Sequence, residues 1–143
     1  MPNIIKNVFI SITFLFIFSC SKSVTKSNNN SIYSEYIQSN QLVHVKNIRT
    51  FRFQSWHSLD YKHLIISSSQ RKSYLISLDF YCNDLLHTPN IQLDQTMAST
   101  LSAKFDSIIV PRNNPQIKCR IKSIYPITKE QKNELTGLRK NPQ

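Results

Sequence analysis

The sequence predicts a mainly β protein, a small antiparallel roll, barrel or sandwich with one disulfide and a short C-terminal helix. Several short stretches rich in β-branched and aromatic residues follow one another closely, separated by turn signals. No long amphipathic helical pattern alternates with them, which argues against a βαβ layout. The chain has 143 residues, enough for one domain at most.

The first β-rich stretches precede residue 73. Residues 42–45 are compatible with a short strand. Residues 48–56 are β-rich but alternate imperfectly, which indicates a bulge or a change of face. A turn at 57–60, a strand at 63–67 and a turn at 68–72 follow.

The clearest strand pattern is residues 73–80. Its polar face carries one apolar exception, Leu75. Cys82 continues the apolar face, and residues 83–90 form a connection in which two leucines pack inward. The apolar face consists of Tyr74, Ile76, Leu78 and Phe80. The two leucines of the connection are Leu85 and Leu86.

The second half of the domain contains three further predicted strands. Residues 91–93 form a short strand, and 96–103 are either a loop or a helical turn. Residues 105–110 form a strand that ends at Pro111, and 112–115 form a turn.

The last strand covers residues 118–125. We expect Cys119, Ile121 and Tyr125 on its apolar face, and three cations on the opposite face: Lys118, Arg120 and Lys122.

The C-terminal end begins with a capping box, Thr128 to Gln131, which predicts a short helix. Residues 139–143 are expected to be a frayed basic tail. The chain has one glycine, which excludes a glycine-rich phosphate loop. Tight turns must therefore use Asn, Asp, Ser and Pro.

The N-terminal segment has the layout of a secretory signal, with Lys6 followed by an uncharged apolar run at 8–18. That run is too short for a membrane-spanning helix, which takes about twenty residues. An ordinary signal usually ends in a small-x-small pattern, which Ile17 fits poorly.

The ending Ile17-Phe18-Ser19-Cys20 resembles a bacterial lipobox. This resemblance implies a thioether-linked diacylglycerol on Cys20 and an acyl chain on its amino group, a combination that anchors stably. Ser21 in place of Asp implies sorting to the outer membrane. We therefore divide the chain into a signal peptide (1–19), a lipidated flexible polar tether (20–40), a β domain (41–127), and a helix with a basic tail (128–143). Tyr33, Tyr36 and Ile37 leave open a short helix or a docked segment at the end of the tether.

Three cysteines are present, and lipidation of Cys20 leaves Cys82 and Cys119. An even pair in an oxidising compartment is most simply a disulfide. Two free thiols or a metal pair are the alternatives. A bridge between strand faces would stabilise the domain by about 4 kcal/mol in the chain-entropy model.

The net charge is +10, which favours anionic partners. Because the predicted compartment excludes most nucleic acid, lipid headgroups and other envelope polyanions come first. A solvated basic surface without a ligand is the alternative. The most basic stretch holds Arg112, Lys118, Arg120, Lys122, Lys129, Lys132, Arg139 and Lys140. Of these, Lys118, Arg120 and Lys122 are the candidate anion-binding face.

The sequence gives little sign of catalysis. His57, Asp60 and His63 could converge on a metal across a hairpin, but a polar turn, with Asp60 bonded to backbone amides and the histidines solvated, is the favoured interpretation. No serine lies in a nucleophile elbow, and the other aspartates are scattered. Trp56, the single tryptophan, fits the core or its edge better than a ligand-stacking role. We expect no metal and no cofactor.

A set of mostly apolar residues, with both domain cysteines, runs from about Ile48 to Ile124: Ile48, Phe51, Trp56, Leu59-Asp60, Leu64, Tyr74-Leu75-Ile76, Leu78, Cys82, Leu85, Asp106, Ile108, Val110, Cys119-Arg120-Ile121 and Ile124. This pattern resembles a family of small, uncharacterised proteobacterial lipoproteins, catalogued as a domain of unknown function. The resemblance implies an N-terminal signal, an envelope location and a β-rich domain, and it implies no activity.

These observations together predict a non-catalytic envelope lipoprotein, a binding or structural module held on the periplasmic face of the outer membrane. Its partners would be the membrane, reached through Cys20, and either anionic lipid or an envelope protein. Nucleic acid is not expected. An accessory subunit of an envelope assembly is the second interpretation, and a periplasm-facing enzyme is the third.

Overall fold

The computed structural model describes residues 31–111 and 116–140. Its described part contains two helices and eight strands. In chain order these are α1 (Ile32–Ser39), β1 (Asn47–Arg49), β2 (Ser55–Ser58), β3 (His63–Ser67), β4 (Ser73–Leu78), β5 (Gln92–Asp94), β6 (Thr100–Ser102), β7 (Ser107–Val110), β8 (Ile117–Ile127) and α2 (Lys129–Lys140).

Six of these strands form one curled antiparallel sheet in the order β2-β3-β4-β8-β7-β5, and β1 pairs separately with β6. The predicted mainly β fold with a disulfide and a short C-terminal helix is therefore confirmed. Strand β8 belongs to both halves of the sheet, since one end pairs with β4 and the other with β7. The register shifts between these halves, because Leu78 faces Ile121 and Ser77 faces Ser123. Lys122 is thus an extra, bulged residue, and such a bulge bends a strand.

The sheet is buried on two faces. Its inner face carries the main core, which includes Ile76, Ile108 and Ile121. The other face of β3 and β4 packs against both helices, through Leu75 and Leu135 among others. Leu75 therefore does not interrupt a solvent face, since the helices cover that side. Phe80, predicted to point inward, is 80% exposed because β4 ends at Leu78.

Helix α1 decides the alternative left open at the end of the tether. Ser31 caps its first turn, since the side chain accepts a hydrogen bond from Ser34 N at 3.4 Å. Tyr33 is buried and donates its hydroxyl to the Leu59 carbonyl at 3.4 Å. The segment is both helical and docked, so the folded domain begins earlier than the predicted boundary at 41. The predicted signal peptide (1–19) and Cys20 lie outside the described residues.

The stretch before β3 differs from the prediction. Residues 42–45 form no strand, and only Val45 makes an isolated bridge, to Ile124. Residues 48–56 span parts of two strands in different sheets rather than one bulged strand. The chain turns between them at Thr50, which has a left-handed φ of 52°. The turn predicted at 57–60 is too early, because His57 and Ser58 still belong to β2.

Two other predictions depended on turn chemistry. Residues 96–103 contain β6, which neither the loop nor the helical alternative anticipated. Within the described ranges five non-glycine residues have a positive φ, and Gly137, in α2, does not. Three of the five are not typical turn residues, so composition did not mark their positions. The five are Gln41, Thr50, Asp84, Ser99 and Lys104.

The end of the chain confirms one prediction and corrects two. Gln131 Oε1 accepts a hydrogen bond from Thr128 N at 2.9 Å, and the Thr128 hydroxyl accepts one from Gln131 N at 3.2 Å, as in a capping box. The predicted frayed tail is wrong at Arg139, because this residue lies within α2 and donates to the Ser58 carbonyl at 2.8 Å. Tyr125 does not share a face with Cys119, because the bulge moves it to the helix-covered side. The turn at 112–115 and residues 141–143 lie outside the described ranges.

Candidate functional site

The described residues form a groove of about 720 Å³. It is formed by residues 44–47, 96–97, 102–105 and 122–123, and this set is called the groove below. Such a volume is typical of small-molecule sites. The segments come from four separate parts of the chain, which meet because β1 pairs with β6 and the bulge of β8 lies beside them.

Backbone hydrogen bonds hold the groove's walls together. Val45 N donates to the Ile124 carbonyl at 2.8 Å, and Ala103 N donates to the Lys46 carbonyl at 2.9 Å. Lys104 N donates to the Ile121 carbonyl at 2.7 Å. Because each wall is bonded to another, the groove is pre-formed in the fold.

Buried Asp106 fixes the wall formed by residues 96–105. One carboxylate oxygen accepts hydrogen bonds from the backbone N–H of Thr96 at 2.8 Å and from its hydroxyl at 2.9 Å. The other accepts from Ser102 N at 2.7 Å. The side chain is fully buried, so these bonds replace the water that the carboxylate loses. Asp106 is therefore a structural clamp for this wall.

The groove combines an apolar floor with a cationic rim. Val45 and Ala103 pack against the main core, while Met97 and Phe105 are 64% and 76% exposed. His44 and three lysines also line the groove, and no Asp or Glu does: Lys46, Lys104 and Lys122. An apolar surface beside positively charged side chains suits a ligand with an apolar body and an anionic group.

The predicted basic face is divided by the structure. Lys118, Arg120 and Lys122 are all exposed. Lys118 forms a surface ion pair with Asp94 at 2.9 Å, and Lys122, in the bulge, lines the groove. The basic residues of α2 lie apart from those of β8. Lys132 donates to the Ser67 hydroxyl at 3.0 Å and, like Arg139, ties α2 to the sheet.

The predicted cysteine pair is joined in the structure. Cys82 and Cys119 form a disulfide between the segment after β4 and the first half of β8, with a Cα–Cα distance of 5.7 Å. Both residues are buried in the main core. Trp56 is partly buried against the same core, which agrees with its expected place at the core or its edge.

Asp60 and His63 form a structural cluster with the start of α1. His63 is 3% exposed, so the expected solvated histidine is wrong at this position. Its Nδ1 lies 2.9 Å from Asp60 Oδ2 and 3.2 Å from Ser31 Oγ. Burial raises the pKa of Asp60, but hydrogen bonds from His63 and two backbone N–H groups and the His63 charge lower it below its usual range.

This cluster lacks the geometry of a Ser-His-Asp catalytic triad. In a triad the carboxylate and the hydroxyl contact opposite nitrogens of the histidine ring. Here Ser31 and Asp60 both contact Nδ1 of His63. Over residues 31–111 and 116–140 no group of three His, Cys, Asp or Glu side chains is placed to hold a metal ion.

Sequence reasoning missed His44, Lys46 and Lys104 as site residues. They lie in segments without regular periodicity, and only the fold brings them together. A usable signal was Lys104 beside Phe105, a charge next to an aromatic residue at the start of the strand predicted for residues 105–110.

Comparison with known proteins gives a family and no assigned activity. A model described as a family of unknown function (DUF6491) matches residues 3–142. No curated protein and no solved structure matches the chain. Neither of the two helices in the described ranges is long and apolar enough to cross a bilayer.

Proposed function

Because the chain belongs to DUF6491, a family of unknown function whose model matches residues 3–142, we propose a role from its own residues. The protein is a non-catalytic, lipid-anchored binding module of the bacterial cell envelope. It is held on the periplasmic face of the outer membrane through lipid on Cys20.

The observation that carries this proposal is the buried Cys82–Cys119 disulfide. Disulfides persist in oxidising compartments such as the periplasm and are rare in the cytosol. The pairing also leaves Cys20 as the one remaining cysteine of the sequence, next to a secretory signal pattern. Lipidation of Cys20 accounts for all three cysteines, because an exported protein otherwise keeps a reactive thiol.

The partner proposed for the exposed end of the sheet is anionic lipid. The helices pack over β3, β4 and the end of β8, so the first half of β8 is left uncovered. Arg120 and Lys122 are exposed there, and Lys118 is shared with Asp94. Basic side chains near an anionic membrane surface each contribute about 1 kcal/mol of binding.

Reversing the charge of this end is expected to weaken membrane binding. Arg120→Glu with Lys122→Glu should reduce binding to phosphatidylglycerol-containing vesicles about 30-fold at low salt. Cosedimentation of the unlipidated chain from Ser21 to Gln143, which contains every described residue, measures this. The charge-matched control is Lys72→Glu with Lys129→Glu, at the opposite end of β8, where both lysines are exposed.

If the two double variants lost vesicle binding equally, the effect would come from the overall charge and not from this basic face. That result would overturn the lipid-contact part of the proposal. The second candidate is an accessory subunit of an envelope assembly, favoured by the edge strands β2 and β5. Vesicle binding that does not depend on Arg120 and Lys122, together with a stable protein complex recovered from envelopes, would favour that candidate.

A further inference from the structure

We propose that the groove is a binding site for a single-chain amphiphile with an anionic headgroup, such as a fatty acid. Its apolar floor, with Met97 beside it, would hold the acyl chain, and its lysines would contact the head. The site is distinct from the lipid on Cys20, and it shares only Lys122 with the membrane contact proposed for Arg120 and Lys122. The supply of acyl ligands rests on the proposed envelope location.

The anionic head follows from charge complementarity. Lys46, Lys104 and Lys122 approach the groove from three different segments, and none of the groove's residues is acidic. Outside the groove, Lys118 has an acidic partner, Asp94, at 2.9 Å. Charged hydrogen bonds between ammonium groups and a carboxylate or phosphate are the strong ones available here.

The flexible apolar body follows from the groove's lining. Val45 and Ala103 give a floor without polar atoms in their side chains, and they are backed by the main core. Met97 and the lysine stems are flexible apolar surfaces that adapt to a bending chain. The hydrogen bonds between the walls keep the floor open before a ligand arrives.

Lys104 lines the groove from a left-handed backbone position. Its φ is 70°, in the left-handed region where a residue with a Cβ is strained and glycine is not. A lysine at this position carries backbone strain that a glycine would avoid, and its side chain lines the groove. Four other non-glycine residues of the described ranges also have a positive φ, so Lys104 is chosen for the test below by its strain together with its place in the groove.

The backbone strain at Lys104 also gives a test that separates ligand binding from folding. Lys104→Gly is expected to leave the urea midpoint of unfolding unchanged or raised, and to weaken binding of dodecanoate at least tenfold. Lys46→Gln should weaken it similarly, whereas Lys72→Gln, a matched exposed lysine in the turn after β3, should leave it unchanged. Calorimetric titration of the chain from Ser21 to Gln143, below the micelle concentration, measures the dissociation constant.

Two further ligands distinguish the contribution of the apolar chain of the ligand from that of its headgroup. Dodecyl maltoside has the same chain with an uncharged head and is expected to bind at least tenfold more weakly than dodecanoate, while dodecyl phosphate should bind as well as dodecanoate. Inorganic phosphate alone should not displace the ligand. The expected NMR shift changes fall on residues 44–47 and 96–105.

The proposal is overturned by any of three results. These are the absence of saturable one-to-one dodecanoate binding, equal binding of the maltoside, and shift changes confined to other residues. Because the assay uses an unlipidated chain, its failure leaves the anchoring role of Cys20 standing, and loss of anchoring leaves this site standing.

Discussion

Replacing Cys82 and Cys119 together by alanine is expected to lower the free energy of unfolding by about 4 kcal/mol. The disulfide closes a loop of 37 residues that contains β5, β6 and β7. Without it the unfolded chain gains the conformational freedom of that loop. Because small domains are stable by only about 5–15 kcal/mol, much of the stability would be lost. Urea unfolding followed by the fluorescence of Trp56 measures the change.

Two comparisons isolate the disulfide. Cys82→Ala alone breaks the same bond and should be nearly as destabilised as the double variant. Asn83→Ala, an exposed neighbour that leaves the bond intact, should change stability by less than about 0.5 kcal/mol. A double variant within about 1 kcal/mol of the native protein would contradict the expected contribution of the bridge to stability.

Asp106→Ala is expected to lower the free energy of unfolding by about 3 kcal/mol. The substitution leaves two backbone N–H groups and the Thr96 hydroxyl without their acceptor in the interior. Each orphaned donor costs about 1–3 kcal/mol, less where water enters. The same loss should loosen the wall at 96–105, so dodecanoate binding should weaken as well.

The matched control for Asp106 is Asp94→Ala, which removes a carboxylate from an exposed pair with Lys118. Surface pairs contribute about 0–1 kcal/mol, so this variant should unfold close to the native urea midpoint. Asp106→Asn keeps the shape and one acceptor oxygen and should lose less than alanine. If the Asp94 and Asp106 variants lost equal stability, Asp106 would not be the clamp described above.

Local chemistry explains what could be predicted from the sequence. The strand at His63–Ser67, the turn after it and the capping box at Thr128 each follow from a pattern within a few residues. The disulfide followed from the cysteine count combined with the predicted compartment. These features depend little on how distant segments pack.

The features that failed depend on distant partners. Lys122 is bulged because β8 pairs with β4 at one end and with β7 at the other. No residue pattern within β8 itself reveals this bulge. It moved Tyr125 to the other face and placed Lys122 in the groove. Leu75 was a usable clue to the second layer, since an apolar residue on a polar face indicates something packed there.

Helix α1 was only an open alternative, because eight residues are too few for an isolated helix and its docking supplies the stability. The groove could not be predicted, since its walls come from segments that are irregular or were left ambiguous. With one glycine in the chain, the left-handed turns at Gln41, Thr50 and Lys104 could not be recognised from residue type.

The proposed anchoring is tested most directly by the intact mass of the full chain, expressed in a Gram-negative host and recovered from its membranes. The expected product begins at Cys20 and carries the mass of a thioether-linked diacylglycerol and an N-acyl chain, with Cys82 and Cys119 joined. The Cys20→Ser variant should carry no lipid mass. A membrane-bound chain that still begins at Met1, or a processed chain with an unmodified Cys20, would contradict the proposal.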